Sequence, residues 1–201
     1  MSTPLGGIPA AHTAGGALPS TGTPAGAAQG IELELPGAPP ARYRLLWEQA
    51  PKTCAVVLAA LPSQAECFHA IYSGTIAAFL LPPEAIAPTE NATSCVMPGD
   101  LIYTHYEAGV RHGHLNALSE VYWPYDRYAR PTIPGLFVPL DAANVFGAYE
   151  GTPETWKAFA AACQRLRFDG LRVISIRPYG GVTASSPRPR GDGHPADGRR
   201  G

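Results

Sequence analysis

Two side chains near the middle of this sequence have surroundings that suit proton chemistry. His69 lies in the strand-like run CFHAI, where alternation sets Cys67, His69 and Ile71 on one face and Phe68, Ala70 and Tyr72 on the other. A neutral imidazole facing a pocket accepts or donates a proton near neutral pH. Its plainer role is a histidine satisfied by a backbone carbonyl or sheltered at a sheet edge. Glu120 sits inside the apolar stretch 117–123 and alternates with Val121. On an inner face its carboxylate would need a partner or a raised pKa; on an outer face it would be a solvated strand residue. His69 and Glu120 are therefore the candidate catalytic pair. Tyr103, Tyr122 and Asn144 are the candidate ligand-binding residues, the few polar groups that orient a small molecule in an otherwise apolar cavity.

His105, Glu107, His112 and His114 fall within HYEAGVRHGHLN. No standard zinc spacing fits this loop-like segment, and His112 with His114 would need further ligands from elsewhere. The expectation is a histidine-bearing loop with no metal, and no cofactor is called for. The cysteines, Cys54, Cys67, Cys95 and Cys163, are far apart and form no CxxC pair, so they read as buried reduced thiols.

The elements that must hold these residues come from a chain of 201 residues, 45% hydrophobic and 15% charged, enough for one core. Residues 1–30 and 179–201 are built from Gly, Ala, Pro, Ser, Thr and, at the C-terminal end, Arg, with little to repay ordering; they read as tails around a domain at 31–178. Arg190-Gly191-Asp192 and Asn91-Ala92-Thr93 are short matches to adhesion and glycosylation motifs that such a composition produces by chance. With 15 basic and 16 acidic residues, no field favours nucleic acid or an anionic membrane. The first thirty residues lack the pattern of a secretory signal, and no apolar run reaches membrane length; a cytoplasmic protein is expected.

Arg42–Glu48 alternates as a strand. Cys54, Val57, Leu58 and Leu61 then share a helical face closed by Pro62. Glu66–Tyr72 and Thr75–Leu81 are expected as a hairpin through Ser73-Gly74. Strands follow at Leu101–Tyr106, after a Pro98-Gly99-Asp100 turn, at Ser119–Trp123 and at Ala142–Tyr149. A second helix is capped by Thr152, with Pro153 and Glu154 in its first turn and Trp156, Phe159, Ala160 and Cys163 on one face; Leu171–Arg177 closes the series. The fold class is mainly β with two α-helices, a closed barrel capped by the helices.

PKTCAVVLAALP, CFHAI and LDAANVFGAYEGTPETW resemble, in order and content, segments of the cyclophilin-like barrel over about residues 42–177. The hairpin His69–Gly74, the turn Pro98–Asp100 with its Tyr-bearing strand, Ser119-Glu120 and Asn144–Phe146 resemble more closely the DUF3830 branch of that superfamily. The resemblance implies the fold and leaves the chemistry open. Ala70 stands where prolyl isomerases of the superfamily carry an arginine that donates to the proline nitrogen. The leading expectation is a barrel that binds, and as an enzyme would transform, a small molecule near His69, Tyr103, Glu120 and Asn144. The alternatives are a peptidyl-prolyl isomerase or peptide-binding module, and a homo-oligomeric structural subunit joined through surface aromatics such as Trp123 and Tyr125.

Overall fold

The computed structural model describes residues 23–110, 115–131 and 142–181. Among the described residues nine strands lie in chain order as β1 (Gly30–Glu34), β2 (Ala41–Leu45), β3 (Gln64–His69), β4 (Ile76–Leu81), β5 (Ala92–Thr93), β6 (Asp100–Tyr106), β7 (Leu118–Pro124), β8 (Ala143–Tyr149) and β9 (Arg172–Tyr179). The helices are α1 (Pro51–Ala60), between β2 and β3, and α2 (Pro153–Asp169), between β8 and β9. The sheet runs β2-β1-β9-β3-β4-β7-β6-β8, and β2 pairs again with β8, so eight antiparallel strands close into the expected barrel. β5 adds to the far side of β8.

Closure depends on β1, a strand that the sequence reading does not include. Ile31 and Leu33 face the core, and Glu32 faces outward between Arg42 of β2 and Arg177 of β9, its cross-strand neighbours. Their Nε atoms each donate to the carboxylate at 2.6 Å. Gly30 leaves room for the Tyr179 ring, which occupies the space a Cβ would take.

The main core fills the barrel. Phe79, Val121 and Tyr103 form one cross-strand layer and Ala77 and Trp123 another, joined by Cys67, Phe146, Ile174 and Ile176. α2 packs at the layer of Trp123, whose ring stacks on Phe159 and whose indole N–H points to Cys163 Sγ at 3.3 Å. α1 packs at the layer of Asn144, where Cys54 Sγ donates to the Phe146 carbonyl. Trp123 and Tyr125, expected at the surface, are thus both buried: strand alternation turns them into the core. A smaller cluster on the outer face gathers Ile76, Ala78, Ile102, Tyr122 and Ala143, with Phe68, Ala70 and Ala129 against it.

Thr152 caps α2 through its hydroxyl, which accepts from the Thr155 N–H, and Gly170 ends it at φ 78°. α1 has no local cap, since Ala50 precedes it. Glu90 supplies one from 37 residues away, accepting from the Thr53 N–H at 2.9 Å and the Thr53 hydroxyl at 3.1 Å.

The expected strand Glu66–Tyr72 stops at His69. Ile71–Ser73 form a 3-10 turn that carries Ile71 and Tyr72 out of the sheet, and Gly74 completes the reversal at φ 77°. The segment after β7 folds back here: the Tyr128 carbonyl lies where a Cβ at position 74 would go, and the Arg130 N–H donates to Ser73 O. A two-residue hairpin leaves no room for that return. Among the described residues no helix is long and apolar enough to cross a membrane.

Candidate functional site

The five residues expected to form one site divide among three places. His69 shares a register layer with Ala77 and Trp123 inside the barrel, at the α2 end, with an imidazole nitrogen (Nε2) 2.8 Å from the Tyr125 hydroxyl. Its Nδ1 has no hydrogen-bond partner among the described residues. Burial, helped by the positive charge of Arg167, holds this imidazole below its usual pKa, so it is kept neutral. Tyr103 and Asn144 are cross-strand partners, also inside, at the α1 end. Glu120 and Tyr122 lie on the outer face, opposite Thr104 and Ile102 of β6.

The expected His69–Glu120 proton-transfer pair is therefore not assembled. Trp123 shares the His69 layer, and Glu120 is three residues away along β7, so the pleat turns it to the other side of the sheet. Glu120 is nonetheless buried on that outer face.

Tyr103 and Asn144 do come together, but their polar groups act on the protein itself. The Tyr103 hydroxyl donates to Ala85 O and accepts from the Ala87 N–H. The Asn144 amide donates to Thr53 Oγ1 and Pro88 O at 3.0 and 2.8 Å, and its carbonyl accepts from the Glu90 N–H. Together they pin the segment 85–90 against the barrel end.

That pinned segment forms one wall of a cleft of ≈ 440 Å³, with Ile86–Thr89 on one side, Tyr103–Glu107 on the other and Ala142 and Asn144 at the base. The residue that gives the cleft its chemistry is His105. Its side chain is only 9% exposed. Nδ1 lies 2.9 Å from the Ser119 hydroxyl, which donates to Ala85 O at 2.9 Å. Nε2 has no hydrogen-bond partner among the described residues and stands 3.5 Å from the Glu107 carboxylate.

The order Glu107, His105, Ser119 has the composition of a nucleophilic triad, yet Ser119 is fully buried and its proton is engaged by a backbone carbonyl. It orients the imidazole and does not attack. Of the residues considered for a metal, His105 and Glu107 are adjacent, while His112 and His114 lie outside the described residues. No group of three His, Cys, Asp or Glu side chains suited to a metal occurs among the described residues.

In the sequence, His105 was visible only as one member of a histidine-bearing loop. The signal that singles it out is alternation with Tyr103 on a strand whose inner face is otherwise apolar. Thr53, Glu90 and Ser119 carry no local signal, because their partners are 14 to 91 residues distant.

At position 70 the Ala70 methyl packs on the outer cluster with Phe68 and Ala129. Arg127 and Arg130 belong to the segment that returns over the 3-10 turn, where main-chain atoms make the contacts: Thr75 Oγ1 donates to Arg127 O.

Among solved structures, the chain is similar to the solution structure of the hypothetical protein AF2241 from Archaeoglobus fulgidus. The identity is 16% and the TM-score 0.45, over 76% of this chain and 96% of that one. No curated protein matches the sequence. The family described as Protein of unknown function (DUF3830) matches residues 37–177, from just before β2 to near the end of β9, with the whole cleft inside it. Since that match spans well over half of the chain, the protein belongs to the DUF3830 family.

Proposed function

We propose that the protein is a small-molecule-binding barrel whose ligand occupies the cleft between the segment 86–89 and the end of β6. The observation that carries this reading is the His105 side chain, nine-tenths buried in the wall of the cleft, whose Nε2 makes no hydrogen bond among the described residues. A buried polar atom without a partner costs on the order of 1–3 kcal/mol, a cost that a ligand bonded to it recovers. The rest of the arrangement serves rigidity: Tyr103, Asn144 and Ser119 fix the walls and the ring before a ligand arrives, which lowers the ordering cost of binding. Because the serine is committed to a carbonyl, binding is favoured over covalent catalysis.

A thermal-shift screen over small carboxylates, amides and amines tests this reading, since a ligand that prefers the folded state raises the melting temperature. Compounds that stabilise the wild type should lose their effect in His105→Ala. They should also lose it in Ile86→Trp, which fills the cleft from an exposed position without touching the core. A stabilising compound indifferent to both substitutions binds elsewhere and sinks the proposal.

A further inference from the structure

Proton positions around His105 are fixed by a relay. The Ala87 N–H donates to the Tyr103 hydroxyl, which donates to Ala85 O; that carbonyl, acceptor only, also takes the Ser119 proton. With its single proton engaged there, Ser119 can only accept from the imidazole, so Nδ1 carries hydrogen. In the neutral ring Nε2 is then a lone pair, and it faces a second acceptor, the Glu107 carboxylate, at 3.5 Å. Two acceptors at that spacing repel unless a donor stands between them. Of the other polar groups of the described wall, the Tyr103 hydroxyl and both amide hydrogens of Asn144 are committed elsewhere, and the hydroxyls of Thr89, Thr104 and Tyr106 can serve as donor or acceptor. No Lys or Arg is among the described lining residues, while Ile86, Pro88 and Ala142 offer an apolar strip.

We infer that the cleft selects a small organic cation, an ammonium or amidinium group on a compact apolar body, whose N–H donors bridge His105 Nε2 and the Glu107 carboxylate. This rests on the cleft being the binding site and specifies the class of ligand it takes. Protonated nitrogen supplies both the hydrogen-bond donors and the positive charge that the described lining residues do not provide. The carbon body covers the apolar strip. Glu107 is 74% exposed, so its share of the attraction is screened by salt and modest in size.

The test uses three matched probes, cyclohexylammonium, cyclohexanecarboxamide and cyclohexanecarboxylate, titrated into the full chain. Melting temperature and the assigned ¹⁵N resonances of His105 are followed together. Expected are a hydrogen on Nδ1 accepted by Ser119 before addition and a preference for the ammonium over the amide and of both over the carboxylate. Glu107→Gln should weaken ammonium binding by about threefold, the scale of an exposed ion pair, and added salt should do the same. A ring already doubly protonated at pH 7.5, paired with Glu107 itself, overturns the inference. So does carboxylate preference with a moving His105 signal, which would leave the cleft as a binding site for a different class. If all three probes leave His105 unmoved and the broader screen gives no compound sensitive to Ile86→Trp, the cleft itself fails as the site.

Discussion

The Ser119 hydroxyl lies 2.9 Å from Nδ1 of His105, and that contact ties the mouth of the cleft to the β6–β7 ladder behind it. Ser119→Ala leaves the Nδ1 hydrogen without an acceptor in a buried position. A loss of about 1–3 kcal/mol in urea unfolding is expected. The ring should also lose its single tautomer, seen as averaged ¹⁵N shifts; unchanged shifts would show that serine does not set it.

His69 lies at the other end of the barrel and gives a pH signature. Its imidazole pKa is lowered by burial and by Arg167, so the folded state binds the proton less readily than the unfolded chain. The stability it contributes is complete above the ordinary value of 6.5 and declines as pH falls through that value toward the lower folded one. Urea midpoints should therefore drop between pH 7.5 and 5, and His69→Gln should flatten the slope.

Glu32 acts in a more acidic window. Burial pushes its carboxyl up, but hydrogen bonds from Arg42 and Arg177 outweigh that and hold it below the usual carboxylate value. Its contribution is present above pH 4.5 and is lost as pH falls through the folded value. Glu32→Gln is expected to be less stable at pH 7 and to lose part of its acid sensitivity below pH 4.5, as measured by circular dichroism during acid titration. An acid profile identical to the wild type would show that the pair does not govern barrel closure on that side.

Thiol chemistry distinguishes the four cysteines. Cys54, Cys67 and Cys163 are fully buried, and burial pushes the Cys54 and Cys163 thiols up to about 12, whereas Cys95 is exposed. A thiol-reactive dye should label one site rapidly in the folded protein and four after denaturation. The expectation of buried thiols thus fails at Cys95, which lies in the turn-rich stretch before β6 and has no strand or helix to bury it. Rapid labelling of two or more sites without denaturant would contradict the barrel packing.

Much of the fold is legible in the sequence because its signals are local. The Thr152-Pro153-Glu154 start of α2, the Pro98–Asp100 turn and the alternation of β6, β7 and β8 depend on residues a few positions apart. β1 is missed because GIELE is short and follows a Gly- and Ala-rich stretch; what makes it a strand is pairing with β2 and β9, and Arg177 is 145 residues from Glu32. The candidate site is legible only in fragments. Residue types can be read, and Tyr103 and Asn144 do lie opposite one another across β6 and β8, but alternation alone does not say which face of a strand is inside. That missing sign separates His69 from Glu120 and buries Trp123 and Tyr125. The cleft itself depends on the segment 85–90 being held by residues far along the chain, which no spacing rule reveals.

The most direct test follows individual histidine rings by long-range ¹H–¹⁵N correlation while the strongest stabilising compound from the thermal screen is added. His69 serves as an internal control: it belongs to the layer of Trp123 and His105 to that of Ser119, four residues apart along β7, or about 13 Å. The account predicts that the His105 Nε2 resonance moves in proportion to occupancy while His69 stays fixed. Movement of His69 alone, or stabilisation with both rings unmoved, would contradict it.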